Sequence, residues 1–154
     1  MTHLKVGDTA PDFQGINEKG ENIALKDFAG KKLVLYFYPK DNTPTCIVEA
    51  CNLRDNYALL QAKGFEIVGV SADDSKSHQK FIAKQNLPFS LIADTDLTIL
   101  KAYGVWGYKK FMGKEYDGIH RFTFVIDENG VIERIFDSVK SKIHSEQILE
   151  SYAS

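Results

Sequence analysis

Residues 31–46 read Lys-Lys-Leu-Val-Leu-Tyr-Phe-Tyr-Pro-Lys-Asp-Asn-Thr-Pro-Thr-Cys, and this stretch decides the fold. Its first half is apolar and aromatic on both faces, which is typical of a strand that is covered on both sides. Its second half predicts a helix start, with Thr43 as the N-cap and Pro44 in the first turn. Because the first N–H groups of a helix lack intrahelical partners, a thiol at this junction is a good candidate for ionisation.

Length and composition limit the possible functions of the chain. Its 154 residues are enough for one domain, which we expect to span residues 1–154. The net charge of −2 offers no basic surplus for nucleic acid, and the apolar runs are too short to cross a bilayer. The N-terminus lacks the pattern of a signal peptide, so a cytoplasmic location is expected. In a reducing compartment, two cysteines indicate catalysis or metal binding more than a permanent disulfide.

The pattern on both sides of this stretch predicts alternating strands and helices. A polar turn at residues 17–22 predicts an N-terminal β-hairpin, and Asn129-Gly130 predicts a second hairpin near the C-terminus. This order indicates an α/β fold with a mixed central β-sheet flanked by helices. A thioredoxin-like fold fits the order, and other mixed α/β folds fit it nearly as well. The further predicted elements are a helix from residue 44 to Gly64, strands at 65–71, 88–92, 121–127 and 131–136, and helices at 75–86, 96–103 and 143–152.

Cys46 and Cys51 are the only cysteines of the chain, and they lie five residues apart on the predicted helix. On an intact helix their Cα atoms would be about 8–9 Å apart, with the side chains leaning to different faces. A disulfide tolerates at most about 7 Å between Cα atoms. We therefore expect a reduced helical form and an oxidised form with local unfolding at residues 44–52.

The chemistry of the two thiols predicts different roles for them. A thiolate at a helix start is oxidised by peroxide to a sulfenic acid, and a nearby thiol then condenses with it to a disulfide. Cys46 suits the attacking role and Cys51 the resolving role, with Thr43 offering a hydroxyl and Pro39 shielding the sulfur. The alternatives are that Cys51 is a small buried hydrophobe and that Thr43 is only an N-cap.

Metal binding is not indicated by the sequence. The Cys-x4-Cys spacing differs from that of structural zinc sites, and the four histidines are scattered, so we interpret the histidines as surface residues.

Several motifs together resemble the peroxiredoxin family. Pro39-x-x-x-Thr43-x-x-Cys46 is similar to the active-site motif of that family, and residues 36–44 with Glu49-Ala50-Cys51 resemble its branch called bacterioferritin comigratory protein or peroxiredoxin Q. The opening Val6–Phe13, a later loop at 103–116 and a late strand at 118–127 extend the resemblance over nearly the whole chain.

The resemblance implies a thioredoxin fold and thiol-dependent reduction of hydrogen peroxide and alkyl hydroperoxides. Cys46 would be the peroxidatic cysteine and Cys51 the resolving one. Thr43 and Arg121 would bind the peroxide oxygens, and Pro39 would shield the pocket. Glu49 would orient Arg121 through an ion pair, or would simply favour the helix dipole.

The resemblance also implies a reductant, an oligomeric state and a cycle without a cofactor. Thioredoxin or a similar dithiol carrier would reduce the disulfide, so the cycle needs no metal, haem or flavin as cofactor. A monomer is expected, with a weak dimer as the alternative. Two positions beside Cys46 differ from the branch, which usually has glycine at Thr45 and threonine at Ile47.

Two other classes of function stay open at this point. A general dithiol–disulfide oxidoreductase usually has Cys-x-x-Cys, which this chain lacks. A thioredoxin-like binding or chaperone module would not need Thr43, Cys46 and Arg121 together.

Overall fold

A seven-stranded mixed β-sheet forms the centre of the computed structural model, which describes residues 2–153. Its strands in chain order are β1 (Gln14–Asn17), β2 (Asn22–Ala24), β3 (Lys32–Phe37), β4 (Phe65–Ser71), β5 (Ser90–Ala93), β8 (Phe122–Ile126) and β9 (Ile132–Phe136). A separate two-stranded sheet consists of β6 (Trp106–Phe111) and β7 (Lys114–Ile119). The order in the large sheet is β2-β1-β5-β4-β3-β8-β9. Strand β3 pairs in parallel with β4 and antiparallel with β8, and it therefore lies in the middle of the sheet.

Five α-helices within residues 2–153 surround the sheet. They are α1 (Pro44–Asp55), α2 (Tyr57–Ala62), α3 (Ser75–Gln85), α4 (Thr98–Ala102) and α5 (His144–Glu150), with short 3-10 turns at Leu25–Phe28 and Ser141–Ile143. No helix among residues 2–153 combines the length and the apolar character that crossing a membrane requires.

Strand β3 supplies side chains to both faces of the sheet, because successive residues of a strand point in opposite directions. Leu33, Leu35 and Phe37 pack in one core with residues of α4, whereas Val34 and Tyr36 pack in the other with α1, α2, α3 and α5. The predicted mixed sheet, covered by helices on both faces and carrying an N-terminal hairpin, is confirmed.

Apart from shifts of one or two residues at the ends of elements such as β5 and α4, the structure differs from the sequence prediction in three places. The long helix expected from residue 44 to Gly64 is interrupted at Asn56, which separates α1 from α2. The closing helix is preceded by a 3-10 turn at Ser141–Ile143, and its α-helical part ends at Glu150, two residues before the expected end. The segment at 103–116, expected to be a loop, contains β6 and the start of β7, which are joined by a turn with positive φ at Met112 and Gly113.

Candidate active site

Cys46 lies in the first turn of α1, where the chain leaves the end of the central strand. The N-cap is Thr43, whose backbone is extended and whose carbonyl accepts the bond from the Ile47 N–H at 2.9 Å. Pro44 follows, as expected for a residue whose missing N–H costs nothing in a first helical turn. The Cys46 side chain is buried among Tyr36 and other core residues, and only 2% of the residue is exposed.

Arg121 reaches Cys46 from the residue before β8. Its Nη2 lies 3.2 Å from Cys46 Sγ, and its Nη1 donates a short hydrogen bond to Glu49 Oε1. Glu49 is one turn after Cys46 on α1 and is fully buried. The guanidinium therefore bridges the thiol and the carboxylate with its two arms, which is the fixed fork geometry that arginine offers and lysine does not.

Glu49 is a buried carboxylate with only one oxygen bonded. Within residues 2–153, its Oε2 has no hydrogen-bond partner and lies 3.8 Å from His144 Nε2. Burial raises the pKa of Glu49 to about 7, although the charge and hydrogen bond of Arg121 act to lower it. Burial, together with the Glu49 and Cys46 charges, also raises the pKa of Tyr36 well above its ordinary value. The site thus places the Arg121 cation near Glu49 and Tyr36, two groups whose charged forms are disfavoured by burial.

Thr43 and Pro39 lie in the loop that precedes α1. The Thr43 hydroxyl donates to the Lys40 carbonyl at 2.8 Å, and it does not cap the helix N–H groups. Thr43 and Pro39 are both half-buried. The hydroxyl proton is thus engaged by the loop, which leaves the oxygen of Thr43 as an acceptor.

The two residues that differ from the family pattern have separate environments. Thr45 is exposed and lines a shallow cleft with Pro44, Val48 and residues 141–142. Ile47 is half-buried against the core that contains Cys46.

Cys51 faces a different part of the molecule from Cys46. Its Sγ contacts Gln85 Oε1 at 3.4 Å, at the C-terminal end of α3. Both cysteines are free thiols on an uninterrupted α1. The structure therefore brings Cys46, Arg121 and Glu49 together and places Cys51 against the end of α3.

A second buried polar network fixes the loop before α1. Asp41 accepts hydrogen bonds from Tyr38 Oη at 2.6 Å, from Ser77 Oγ at 2.8 Å and from His78 Nδ1 at 2.7 Å. The Asp41 N–H donates to Asp73 Oδ2 at 2.8 Å. This network ties residues 38–41 to the first turns of α3.

The same network contains the group of residues 2–153 that could hold a metal ion. One ligand atom each from Asp41, Asp73 and His78 lies within 4.8 Å of the others. All three atoms are engaged in the hydrogen bonds of the network, including a bond from Ser71 Oγ to Asp73. These hydrogen bonds account for the arrangement without a metal ion.

The interpretation of the histidines as surface residues is wrong for two of the four. His78 and His144 are fully buried, each close to a buried carboxylate. Their carboxylate neighbours lie 37 and 95 residues away in sequence, so no local spacing could have revealed them. Tyr36 packs in the core that contains Cys46, and the Thr123 hydroxyl lies 2.8 Å from His144 Nε2. Both fall in stretches that resemble the family, but neither was predicted to be a site residue, because each looks like an ordinary strand residue.

A comparison with protein-family models identifies the class of protein. The model of the AhpC/TSA family matches residues 6–135. Peroxiredoxin Bcp of Escherichia coli K12 is 45% identical over 149 residues, which cover 97% of this chain and 96% of that protein. The chain belongs to the AhpC/TSA family, within its Bcp/PrxQ peroxiredoxins.

Solved structures agree with this assignment. A variant of Xylella fastidiosa PrxQ superposes with a TM-score of 0.91 at 32% identity, covering 98% of this chain and 96% of that chain. Xanthomonas campestris bacterioferritin comigratory protein, which was studied for alkyl peroxide reduction, gives a TM-score of 0.86 at 32% identity over 98% and 96% of the two chains. The thioredoxin-like peroxiredoxin fold is therefore confirmed, and the chain is a thiol peroxidase.

Proposed function

We propose that Cys46 is the peroxidatic cysteine and that it reduces hydrogen peroxide and alkyl hydroperoxides. The sulfur attacks the terminal oxygen of the hydroperoxide, so an S–O bond forms while the O–O bond breaks. The leaving oxygen takes up a proton and departs as water or an alcohol, and Cys46 becomes a sulfenic acid. The observation that carries this proposal is the Arg121 guanidinium, which donates to Cys46 Sγ with one arm and to Glu49 with the other.

Thr43 and Arg121 are proposed to hold the peroxide. The Thr43 hydroxyl donates a hydrogen bond to the Lys40 carbonyl, so its oxygen is free to accept a hydrogen bond from the O–H of a hydroperoxide. Arg121 can donate to the oxygens as negative charge develops on the leaving group. Pro39 has no N–H and is proposed to shield the sulfur from water. Glu49 is proposed to keep Arg121 in this orientation.

Cys51 is proposed to resolve the sulfenic acid as an intramolecular disulfide. Because helical geometry separates Cα atoms five residues apart by about 8–9 Å, α1 must unwind around residues 44–52 before the two sulfurs can bond. Thioredoxin or a similar dithiol carrier then reduces the disulfide and restores both thiols. Since both cysteines lie on one helix, the cycle needs only a monomer, which is the oligomeric state we propose.

A coupled assay tests this function. Thioredoxin, its reductase and NADPH are supplied, and NADPH oxidation is followed after addition of hydrogen peroxide or cumene hydroperoxide. We expect turnover by the wild-type protein and none by Cys46→Ser or Cys51→Ser, with one peroxide consumed per molecule of Cys51→Ser. Full turnover by Cys46→Ser would contradict the assignment of the peroxidatic cysteine.

Hydrogen exchange tests the proposed unfolding separately. The amides of residues 44–52 should exchange faster in the disulfide form than in the reduced form, while the amides of β3 stay protected in both. Equal exchange of residues 44–52 in the two forms would contradict local unfolding.

A further inference from the structure

Gln85 makes two contacts with α1 near Cys51. Its side-chain Oε1 lies 3.4 Å from Cys51 Sγ, and its carbonyl accepts a hydrogen bond from Arg54 Nη1 at 2.7 Å. Arg54 is less than one turn after Cys51 on the same helix face. Both contacts cross from α1 to the last residue of α3.

The end of α3 is held in one conformation, which fixes the position of Gln85. The helix stops at Asn86, which takes a left-handed backbone with φ of 54°, and the Leu87 N–H bonds back to the Ile82 carbonyl at 3.1 Å. This arrangement is a Schellman-type C-terminus. Because Arg54 additionally holds the Gln85 carbonyl, the backbone of Gln85 is fixed at the end of α3, within reach of Cys51 for its side-chain amide.

In the contact between Cys51 and Gln85, the thiol is the donor and the amide oxygen is the acceptor. The Gln85 Oε1 is an acceptor, so the bond forms with the proton of the Cys51 thiol in place. A hydrogen bond of this kind is made in the docked helix and is lost when Cys51 leaves α3.

We propose that Gln85 is a positioning residue that holds Cys51 docked on α3 and thereby limits the rate at which Cys51 resolves the Cys46 sulfenic acid. This inference rests on the proposed function of the two cysteines. In the resolving step the Cys51 sulfur loses its proton and attacks the sulfenic sulfur. The S–S bond forms, the S–O bond of Cys46 breaks, and the released hydroxide combines with a proton to give water. Since Cys51 must leave Gln85 before this step, stabilising the docked state slows it.

The consequence is a control on over-oxidation. While Cys51 stays docked, the Cys46 sulfenic acid remains open to a second peroxide, which converts it to a sulfinic acid. A weaker Cys51–Gln85 contact should shorten this interval, and a stronger contact should lengthen it.

Two substitutions of Gln85 with opposite expected effects test the proposal. Gln85→Met keeps the length and the helix propensity and removes the acceptor, whereas Gln85→Glu replaces the amide by a charged acceptor, which bonds more strongly. Stopped-flow mixing with peroxide separates sulfenic acid formation from disulfide formation. We expect disulfide formation to be about fivefold faster in Gln85→Met and about fivefold slower in Gln85→Glu, since one modest hydrogen bond is removed or strengthened. The rate of sulfenic acid formation should stay unchanged in both.

A second readout and a matched control complete the experiment. At excess peroxide, intact mass should show less sulfinic acid in Gln85→Met and more in Gln85→Glu than in the wild type. Gln61→Met, a similar change on the exposed face of α2, should leave both rates at wild-type values. Merely structural damage would shift the two Gln85 variants in the same direction, and that result, or no shift in either variant, would overturn the proposal. If the wild-type protein forms no Cys46–Cys51 disulfide, the proposed function of Cys51 fails instead.

Discussion

Two buried histidines each face a buried carboxylate near the start of α1, and the two pairs are built differently. His78 Nδ1 lies 2.7 Å from Asp41 Oδ2, and its Nε2 lies 3.0 Å from the Ile92 carbonyl. His144 Nε2 lies 3.8 Å from Glu49 Oε2, beyond hydrogen-bond distance, and 2.8 Å from the Thr123 hydroxyl. The first pair is a hydrogen-bonded contact and the second is not.

The hydrogen-bond partners set opposite charge states for the two histidines. His78 has acceptors at both ring nitrogens, an arrangement that favours the imidazolium. Burial alone would lower the pKa of His78, but the hydrogen bond and charge of Asp41 raise it. His144 donates from Nδ1 to Gln147 Oε1 at 2.9 Å and accepts from Thr123 at Nε2. Burial lowers the pKa of His144 to about 4, against the Gln147 hydrogen bond.

The two carboxylates are therefore proposed to have different roles: Asp41 is structural, and Glu49 serves the chemistry of Cys46. Asp41 is saturated by Tyr38, Ser77 and His78, so its charge is committed to holding the loop before α1. Glu49 receives nothing from its neutral histidine and is left to bind Arg121, which in turn contacts Cys46. We therefore expect damage to the Asp41 pair to lower stability and damage to the Glu49 pair to lower activity.

The largest expected effect is that of Asp41→Ala. Breaking a buried ion pair leaves the His78 cation without its counter-charge, and such changes cost about 3–5 kcal/mol of unfolding free energy. Urea denaturation measures the loss. Asp41→Asn should be milder, because its amide can accept from Tyr38 and donate to a neutral His78. Asp55→Ala, at an exposed carboxylate, is the control and should change stability by less than about 0.5 kcal/mol. A loss in Asp41→Ala no greater than the control would contradict the structural role.

Arg121→Lys should have the largest effect on chemistry. A lysine ammonium cannot donate to Cys46 and Glu49 in the fixed fork geometry, so the rate of sulfenic acid formation should fall by about 10²–10³. Stopped-flow measurement of the peroxide reaction gives this rate. Arg134→Lys, at an arginine that bonds carbonyls of Glu133 and Ser151, should react as the wild type does. A wild-type rate of sulfenic acid formation in Arg121→Lys would contradict the proposed role of Arg121 in the reaction of Cys46.

The contributions of His144 and His78 to the free energy of unfolding should change with pH in opposite directions. His144 has its pKa lowered in the folded state, so its contribution is complete above the unfolded value near 6.5 and is lost as the pH falls toward 4, by on the order of 3 kcal/mol. His78 has its pKa raised, so its contribution is complete below 6.5 and is lost as the pH rises through the folded value. Titration of the two imidazoles by NMR, with His3 and His120 as internal controls, checks this directly. A single shared pKa for His78 and His144 would contradict the comparison.

Glu49→Gln should have the smallest effect and should separate activity from stability. The amide keeps an acceptor for Arg121 but loses the charge, so we expect the peroxide reaction to slow by about tenfold. Because the pKa of Glu49 is raised to about 7, the buried charge is a cost above pH 7 that disappears as the pH falls toward 4.5. At pH 8 the variant should therefore be no less stable than the wild type, as measured in urea. A large loss of stability with unchanged activity would reverse the roles of the two pairs.

Local signals in the sequence predicted the part of the molecule that lies around Cys46. The apolar run into Tyr38, the Thr43-Pro44 pair and the Asn129-Gly130 turn each act within a few residues, and the elements that they predict are present. Asn56 interrupts the expected long helix, and the Met112-Gly113 turn was missed because it lacks the usual Asn-Gly signal. The contact of Arg121 with Cys46 was expected only through the family resemblance, because 75 residues separate the two.

The two histidine pairs could not have been predicted at all. Each joins residues from distant elements, and the charge of each histidine depends on third partners such as Ile92, Thr123 and Gln147. Sequence spacing carries no information about the contacts with Ile92 and Thr123, which the packed sheet brings to 3.0 and 2.8 Å. Only Gln147, three residues after His144 on α5, is a partner that helical spacing can supply.

The most direct test of the account is the intact mass of the reduced protein after one equivalent of hydrogen peroxide, with free thiols counted in parallel. We predict that the wild type loses two thiols and two mass units, that Cys51→Ser stops at a sulfenic acid, and that Cys46→Ser stays unchanged. If all three proteins react only as slowly as free cysteine, the assignment of Cys46 and Cys51 as a peroxide-reducing pair is contradicted.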